Sequence, residues 1–208
     1  MRRVLAISYP LLVLLSSYAL AGIVLLPPER HWTLPLLLGT ASPTPIKPAV
    51  ALDSAGRLHV VWTGETAVYR SVIDAEKCET VESVEVSKSP GSEHGGIGVD
   101  ALGRIHLAWV ENSTRVEYAI LDPEGEEVAG EEIERPRECS YLTLAVEPEG
   151  RAHVVWKEGR DVLCYARFSD GALDLLRELD MGDYVAMPSV TAIPLGGAYV
   201  AFWRSEAK

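Results

Sequence analysis

Four of the five tryptophans obey one interval: Trp62, Trp109, Trp156 and Trp203 follow one another at 47 residues, and Gly56, Gly103, Gly150 and Gly197 keep the same spacing. A period of this length marks a fold built from stacked supersecondary units, none of which buries its apolar surface alone. The aligned segments read DSAGRLHVVW from Asp53, DALGRIHLAW from Asp100, EPEGRAHVVW from Glu147 and PLGGAYVAFW from Pro194.

Each unit divides by elementary signals. Before the glycine stands a short stretch of small and branched residues (49–52, 97–99, 143–146, 190–193), then a turn rich in Asp, Glu, Pro and Gly. After the glycine, the segment ending in tryptophan is apolar on both faces, as in a strand covered on both sides. A third strand carries a tyrosine, Tyr69, Tyr118 or Tyr165, and a more polar fourth follows near 81–86, 127–133 and 173–179. Segments of four to eight residues cut by Gly, Pro and Asp do not sustain a helical period. The expected fold is therefore all-β, a small β-propeller of about four four-stranded blades at 48–94, 95–141, 142–188 and 189–208, the last incomplete. The segment TLPLLLG, 33–39, reads as an outer strand that closes the ring on the last blade, joined through a connector with three prolines in 41–48. The alternatives are a homodimer, or a partner strand that completes the last blade.

Residues 1–28 read as a separate segment, with 29–47 as outer strand and connector and 48–208 as the repeats. Arg2 and Arg3 precede an uncharged run from Val4 to Leu26, long enough to cross a bilayer as one transmembrane helix. Ala19-Leu20-Ala21 before Gly22 equally reads as a signal-peptide cleavage site. Either way the propeller is expected outside the cytoplasm, at the cell membrane through residues 4–26 or secreted, and the sequon Asn112-Ser113-Thr114 is compatible with this. A net charge of −11 excludes nucleic acid as a partner. Cys78, Cys139 and Cys164 permit at most one disulfide within the chain and form no metal knuckle.

The pattern D-x-x-G-x-[LI]-H-[VL]-x-W, followed by a tyrosine and an acidic turn, resembles the blades of sialidase-like (BNR-type) β-propellers over residues 48–203. That resemblance implies an Asp-box between third and fourth strands, which here is reduced to Ser169-Asp170-Gly171, Asp122 with Gly125, and Asp74. It would also imply an arginine triad and a tyrosine nucleophile. Arg70, Arg167 and Arg204 do not assemble into such a triad from the sequence.

Residues repeated with the fold are expected to serve it. His59, His106 and His153 share one position and are read as hydrogen-bonding groups rather than metal ligands, since blades stand about 10 Å apart. The tryptophans are read as packing between blades. Function is sought in the residues that break the pattern, in the loops joining one blade's outer strand to the next blade's inner strand. Those are Glu93 and His94; Arg135, Arg137 and Glu138; and Asp180, Asp183 and Tyr184. His94, Arg135, Arg137, Asp180 and Tyr184 are the binding candidates, and Glu93, Glu138 and Asp183 the carboxylates a glycosidase would need. The expected function is a noncatalytic module for a protein or glycan ligand, with no cofactor or metal. The alternative is a sialidase-like glycoside hydrolase or lyase with an acidic pair at the mouth.

Overall fold

The computed structural model describes residues 20–23, 35–40, 46–193 and 196–205. Every regular element among them is a strand. Of the apolar run 4–26, only β1 (Leu20–Ile23) is described; it pairs antiparallel with β2 (Leu36–Thr40), and the rest of the expected export helix lies outside the described residues. No helix among the described residues is long and apolar enough to cross a membrane.

Three four-stranded antiparallel sheets follow in chain order. The first holds β3 (Ala49–Leu52), β4 (Arg57–Thr63), β5 (Val68–Asp74) and β6 (Glu79–Glu85). The second holds β7 (Glu93–Val99), β8 (Ile105–Glu111), β9 (Arg115–Leu121) and β10 (Glu127–Glu134). The third holds β11 (Cys139–Val146), β12 (Ala152–Glu158), β13 (Val162–Ser169) and β14 (Ala172–Asp180). Strands pair in chain order within each sheet, as in propeller blades. A two-stranded sheet, β15 (Tyr184–Ile193) with β16 (Gly197–Ser205), ends the series.

Burial explains the sequence pattern. Strand β8 is buried at every residue, and the outer strands β6, β10 and β14 are mostly exposed. Successive sheets stack face to face through their innermost strands, β7 on β3 and β4, β11 on β7 and β8, β15 on β11 and β12. The run Gly95-Gly96-Ile97-Gly98 exists because β7 lies in close contact with both neighbours. A Cβ on Gly95 would stand 2.6 Å from Val61, one on Gly96 2.8 Å from Leu144, and one on Gly98 2.5 Å from Val146. One core fills the space between the first and second sheets around Val61, Ile97, Leu107 and Trp109. Another lies between the second and third, where Tyr118 stacks on Phe168 at 4.0 Å.

Three expectations are corrected. First, β2 does not close the ring: it pairs with β1 and lays Leu36 and Leu38 on Val60, Trp62 and Ile73 of the first sheet, while β16 takes β15 as its strand neighbour. Second, the last sheet is offset by one residue. Trp109 stands opposite the bulge at His94–Gly95 and Trp156 opposite Tyr141–Leu142, but the residue opposite the corresponding bulge in β15 is Phe202. The left-handed turn glycine is likewise Gly196 (φ 92°), not Gly197. Trp203 therefore faces the other way and is 53% exposed, since a one-residue slip exchanges the faces of a strand. Third, Tyr69 is out of register with its counterparts. Tyr118 pairs with Ala108 and Tyr165 with Val155, whereas the matching partner of Val61 is Arg70; Tyr69 instead stacks on Trp62 at 4.8 Å.

Candidate functional site

The sheets have two distinct ends. At one lie the glycine turns between first and second strands, where Asp53 Oδ1 accepts from the backbone N–H of Ala55 and Arg57, and Asp100 Oδ1 from Leu102 and Arg104. The same carboxylates reach into the blade. His59 Nε2 is 3.0 Å from Asp53 Oδ2, His106 Nε2 is 3.3 Å from Asp100 Oδ2, and His153 Nε2 is 2.7 Å from Glu147 Oε1. A carboxylate only accepts, so Nε2 carries the proton and Nδ1 is the acceptor. Tyr118 OH donates to His106 Nδ1 at 2.6 Å, and Tyr165 OH to His153 Nδ1 at 2.8 Å. The first sheet breaks this pattern: with Arg70 in the tyrosine's place, His59 Nδ1 and Arg70 Nε are both buried without a hydrogen-bond partner. Burial holds the His59 and His106 imidazoles below their ordinary range. Burial opposes ionisation of Asp53, but His59 and Arg57 together bring its carboxyl down to about 2. Each histidine is thus bonded to groups of its own sheet, and among the described residues no three His, Cys, Asp or Glu side chains are grouped to hold a metal ion.

The other end is the mouth, where innermost strands begin, second strands finish and the linkers 86–92, 135–138 and 181–183 cross between sheets. Here the innermost strands β7, β11 and β15 bulge, and the bulge residue adopts left-handed backbone without being glycine: His94 (φ 57°), Tyr141 (φ 54°) and Met187 (φ 52°). Bulges re-aim side chains, and a non-glycine residue held there stores about 1–2 kcal/mol of strain. The His94 and Tyr141 rings lie 5.6 Å apart. Lys157, near the end of β12, sets its ammonium 5.5 Å from the Tyr141 ring centre and 4.9 Å from that of Tyr184, within cation–π range. Tyr184 also meets Trp203 edge to face at 5.8 Å. The Tyr184 hydroxyl, through its charge and a hydrogen bond, raises the Tyr141 phenol. Burial and the Lys157 cation push His94 down to about 4, so it is a neutral imidazole at pH 7. Burial, with the Glu138 carboxylate nearby, raises Glu93.

The expected site residues thus divide. Glu93, His94, Glu138 and Tyr184 come together at the mouth. Arg135 does not join them: it is buried, with Nε 2.7 Å from Glu158 Oε2 and its terminal nitrogen on Glu178, a structural clamp between the linker and the third sheet. Arg137 is exposed and lies 3.3 Å from Asp161. Asp180 accepts from the Gly182 N–H at the start of its turn, and Asp183 is held by Arg204 at 2.6 Å. The three cysteines are free thiols, and burial pushes Cys139 up to about 12 and Cys164 higher still.

Sequence reasoning missed Tyr141, Lys157 and Met187, and the linker anchor Glu111, which accepts the Lys88 backbone N–H at 3.0 Å and the Trp109 indole N–H at 2.6 Å. A signal existed: Lys47, His94 and Tyr141 share the 47-residue interval but differ in chemistry. Aromatic faces beside an ammonium and a neutral imidazole suit a ligand with apolar C–H faces and hydroxyl groups.

No protein-family model matches the chain, and no curated protein matches it significantly. Solved structures do. A protein of unknown function from Bacteroides caccae is 14% identical with a TM-score of 0.58, over 89% of this chain and 65% of that one. A variant of the Aleuria aurantia lectin in complex with α-methyl-L-fucoside is 12% identical with a TM-score of 0.57, over 81% of this chain and 58% of that one. A variant of the NanB sialidase from Streptococcus pneumoniae is 14% identical with a TM-score of 0.56, over 89% and 32%. The chain spans less than two thirds of each. Likeness at these identities carries the fold alone, an all-β propeller arrangement of four-stranded antiparallel sheets.

Proposed function

We propose that the chain is a noncatalytic, extracytoplasmic binding module whose mouth holds a glycan, anchored at the membrane through residues 4–26 or released by cleavage after Ala21. The observation that carries this reading is the cluster of His94, Tyr141, Lys157 and Tyr184, built on strained bulges and strand ends. Its rings offer surfaces for a pyranose face, and His94, Lys157 and Glu138 offer donors and acceptors for hydroxyls. The lectin and the sialidase among the similar folds support a glycan over other ligands. The acidic turns at Asp74 and Asp122, at the far end of the sheets, support kinship with sialidase-like blades as scaffold rather than chemistry. A glycan panel tests the reading. Wild-type protein binds at least one class, and Tyr141→Ala and Tyr184→Ala each lose about tenfold or more in affinity without a fall in unfolding temperature. Folded protein that binds nothing on the panel would overturn it.

A second reading, a glycoside hydrolase, is favoured by one observation: Glu93 stands near Glu138 at the mouth, and burial together with the Glu138 charge raises the Glu93 carboxyl, as a general acid needs. Release of reducing sugar by the wild type, abolished in both Glu93→Gln and Glu138→Gln, would establish it.

A further inference from the structure

The sheets of this chain join through one repeated interface, made by the two sides of each innermost strand. Toward the preceding sheet the strand sends two branched side chains, Ile97 and Val99 from β7, Leu144 and Val146 from β11. Toward the following sheet it offers small residues. Ile97 and Val99 pack with Ala49 and Ala51 of β3 in one core. Leu144 and Val146 close on Gly96 and Gly98 of β7, where an added Cβ would stand 2.8 and 2.5 Å from them.

Both halves of this interface stand open at the two ends of the stack. Val50 and Leu52 precede Ile97 and Val99 by 47 residues and are the same branched pair, yet they are 49% and 63% exposed. In β15, with its one-residue offset, Val190 and Ala192 are half-buried, whereas Ser189 and Thr191 on the other face are exposed. Their cross-strand partners Ala201 and Tyr199 are exposed with them, and Trp203 continues the same face of β16. The chain thus carries the branched pair at one end and the small pair at the other, and its own two ends do not cover each other.

The strands complement each other in the same way. The hairpin β1–β2 lies on the first sheet from its second strand outward, Leu36 and Leu38 against Val60, Trp62 and Ile73, and leaves Val50 and Leu52 of β3 bare. It occupies the place of a preceding blade's outer strands. The sheet β15–β16 consists of a blade's two inner strands, and among the described residues β16 has no strand on its other edge.

We propose that the chain associates head to tail with a second copy of itself. Val50 and Leu52 of each copy seat on Ser189 and Thr191 of the other, continuing the interface that already joins the sheets. The β1–β2 hairpin of one copy then lies beside the open edge of β16 of the other, and the two hairpins complete one four-stranded blade. Two such contacts about a twofold axis leave neither face over and close a ring of about eight blades, within the range of known propellers. Burial of Leu52, Tyr199 and Trp203 drives the association.

Sedimentation of the full chain over about 0.1–100 µM tests the stoichiometry. The expected mass is twice that of the chain, and Leu52→Lys and Thr191→Lys, both at exposed positions, each weaken association by about tenfold or more. Disulfide trapping tests the arrangement. The equivalent positions 96 and 144 stand in Cβ contact, within reach of a disulfide. In a Cys78→Ser background, where Cys139 and Cys164 are buried, Val50→Cys mixed with Ser189→Cys should give a disulfide between copies, and neither variant alone should give one. A monomer throughout the range overturns the proposal. So does a disulfide within one chain of the double variant, which means that the chain closes on itself, or a 50–50 or 189–189 bond, which means that like faces meet. Association indifferent to Leu52→Lys overturns it too and places the contact elsewhere, as in the apolar run 4–26. Glycan binding at the mouth is read out separately and does not depend on the result.

Discussion

At the scale of single residues, the chain solves one problem three times, how to bury a histidine inside a strand that has no face toward water. The solution in the second and third sheets is a relay, carboxylate to Nε2–H and Nδ1 to tyrosine hydroxyl, which leaves no ring nitrogen without a partner. Such networks hold when complete and cost when broken, because the low local dielectric penalises the orphan more than it rewards the bond. Tyr118→Phe keeps the stack on Phe168 and removes only the hydroxyl that His106 Nδ1 accepts from, so it should cost about 1–2 kcal/mol in chemical denaturation. The first sheet already lives with that defect at His59, so Ser71→Ala, which leaves the His59 ring untouched, should not interact with Tyr118→Phe in a double-mutant cycle. A coupling above about 0.5 kcal/mol would show that the sheets share one network rather than three.

At the scale of elements, the linkers between sheets are pinned by buried glutamates at the ends of second strands, Glu111 for the first linker and Glu158 for the second. Arg135 and Glu158 form a buried pair, and the physics of such pairs is asymmetric. Arg135→Met leaves the buried Glu158 without its guanidinium partner and should cost about 3–5 kcal/mol, whereas Arg135→Met with Glu158→Leu should recover most of that loss in the same denaturation measurement. The three complete blades were legible in the sequence because Trp62, Trp109 and Trp156 fall on one face at one interval, and the Asp, Gly and His around them lock each hairpin. The last blade was not, for a local reason: Gly196-Gly197 and Phe202-Trp203 are doublets, so the pattern fits equally well when shifted by one residue, and only the pairing of β15 with β16 decides. Tyr69 misled in the same manner, because the turn from β4 to β5 differs in length from its counterparts by one residue. The site was half legible. Glu93, His94, Glu138 and Tyr184 stood out as departures from the pattern, while Tyr141 and Lys157 sit inside strands that read as scaffold, and their meeting depends on a bulge that sequence does not announce. Arg135 stood out for the right reason, since it breaks the pattern, but what it serves is the linker.

At the scale of the whole molecule, the fold holds His59, His94 and His106 neutral and favours the charged forms of Asp53, Asp100 and Glu111, and the balance sets its response to acid. Burial lowers His59, His94 and His106, with Lys157 helping to bring His94 to about 4, while the unfolded chain takes up each proton near 6.5. Between those values the unfolded chain holds more protons than the folded one, so stability is complete above pH 6.5 and falls as the pH drops toward 4. Asp53, Asp100 and Glu111, held below their ordinary range by hydrogen bonds and neighbouring arginines despite burial, add a further loss only below about pH 4.5. Glu93 and Glu117 act in the opposite sense: burial raises them, they take protons first in the fold, and their protonation offsets part of the loss as the pH falls. His94 alone should contribute a decline of up to about 3 kcal/mol between pH 7 and 4, from its displacement at about 1.4 kcal/mol per unit. Denaturation midpoints measured across that range should therefore fall less steeply in His94→Gln than in the wild type. In Glu117→Gln, which removes an offsetting group, they should fall more steeply. Parallel curves for His94→Gln and wild type would mean that His94 is not buried as described, and the mouth would then be more open and more hydrated than its aromatic cluster implies.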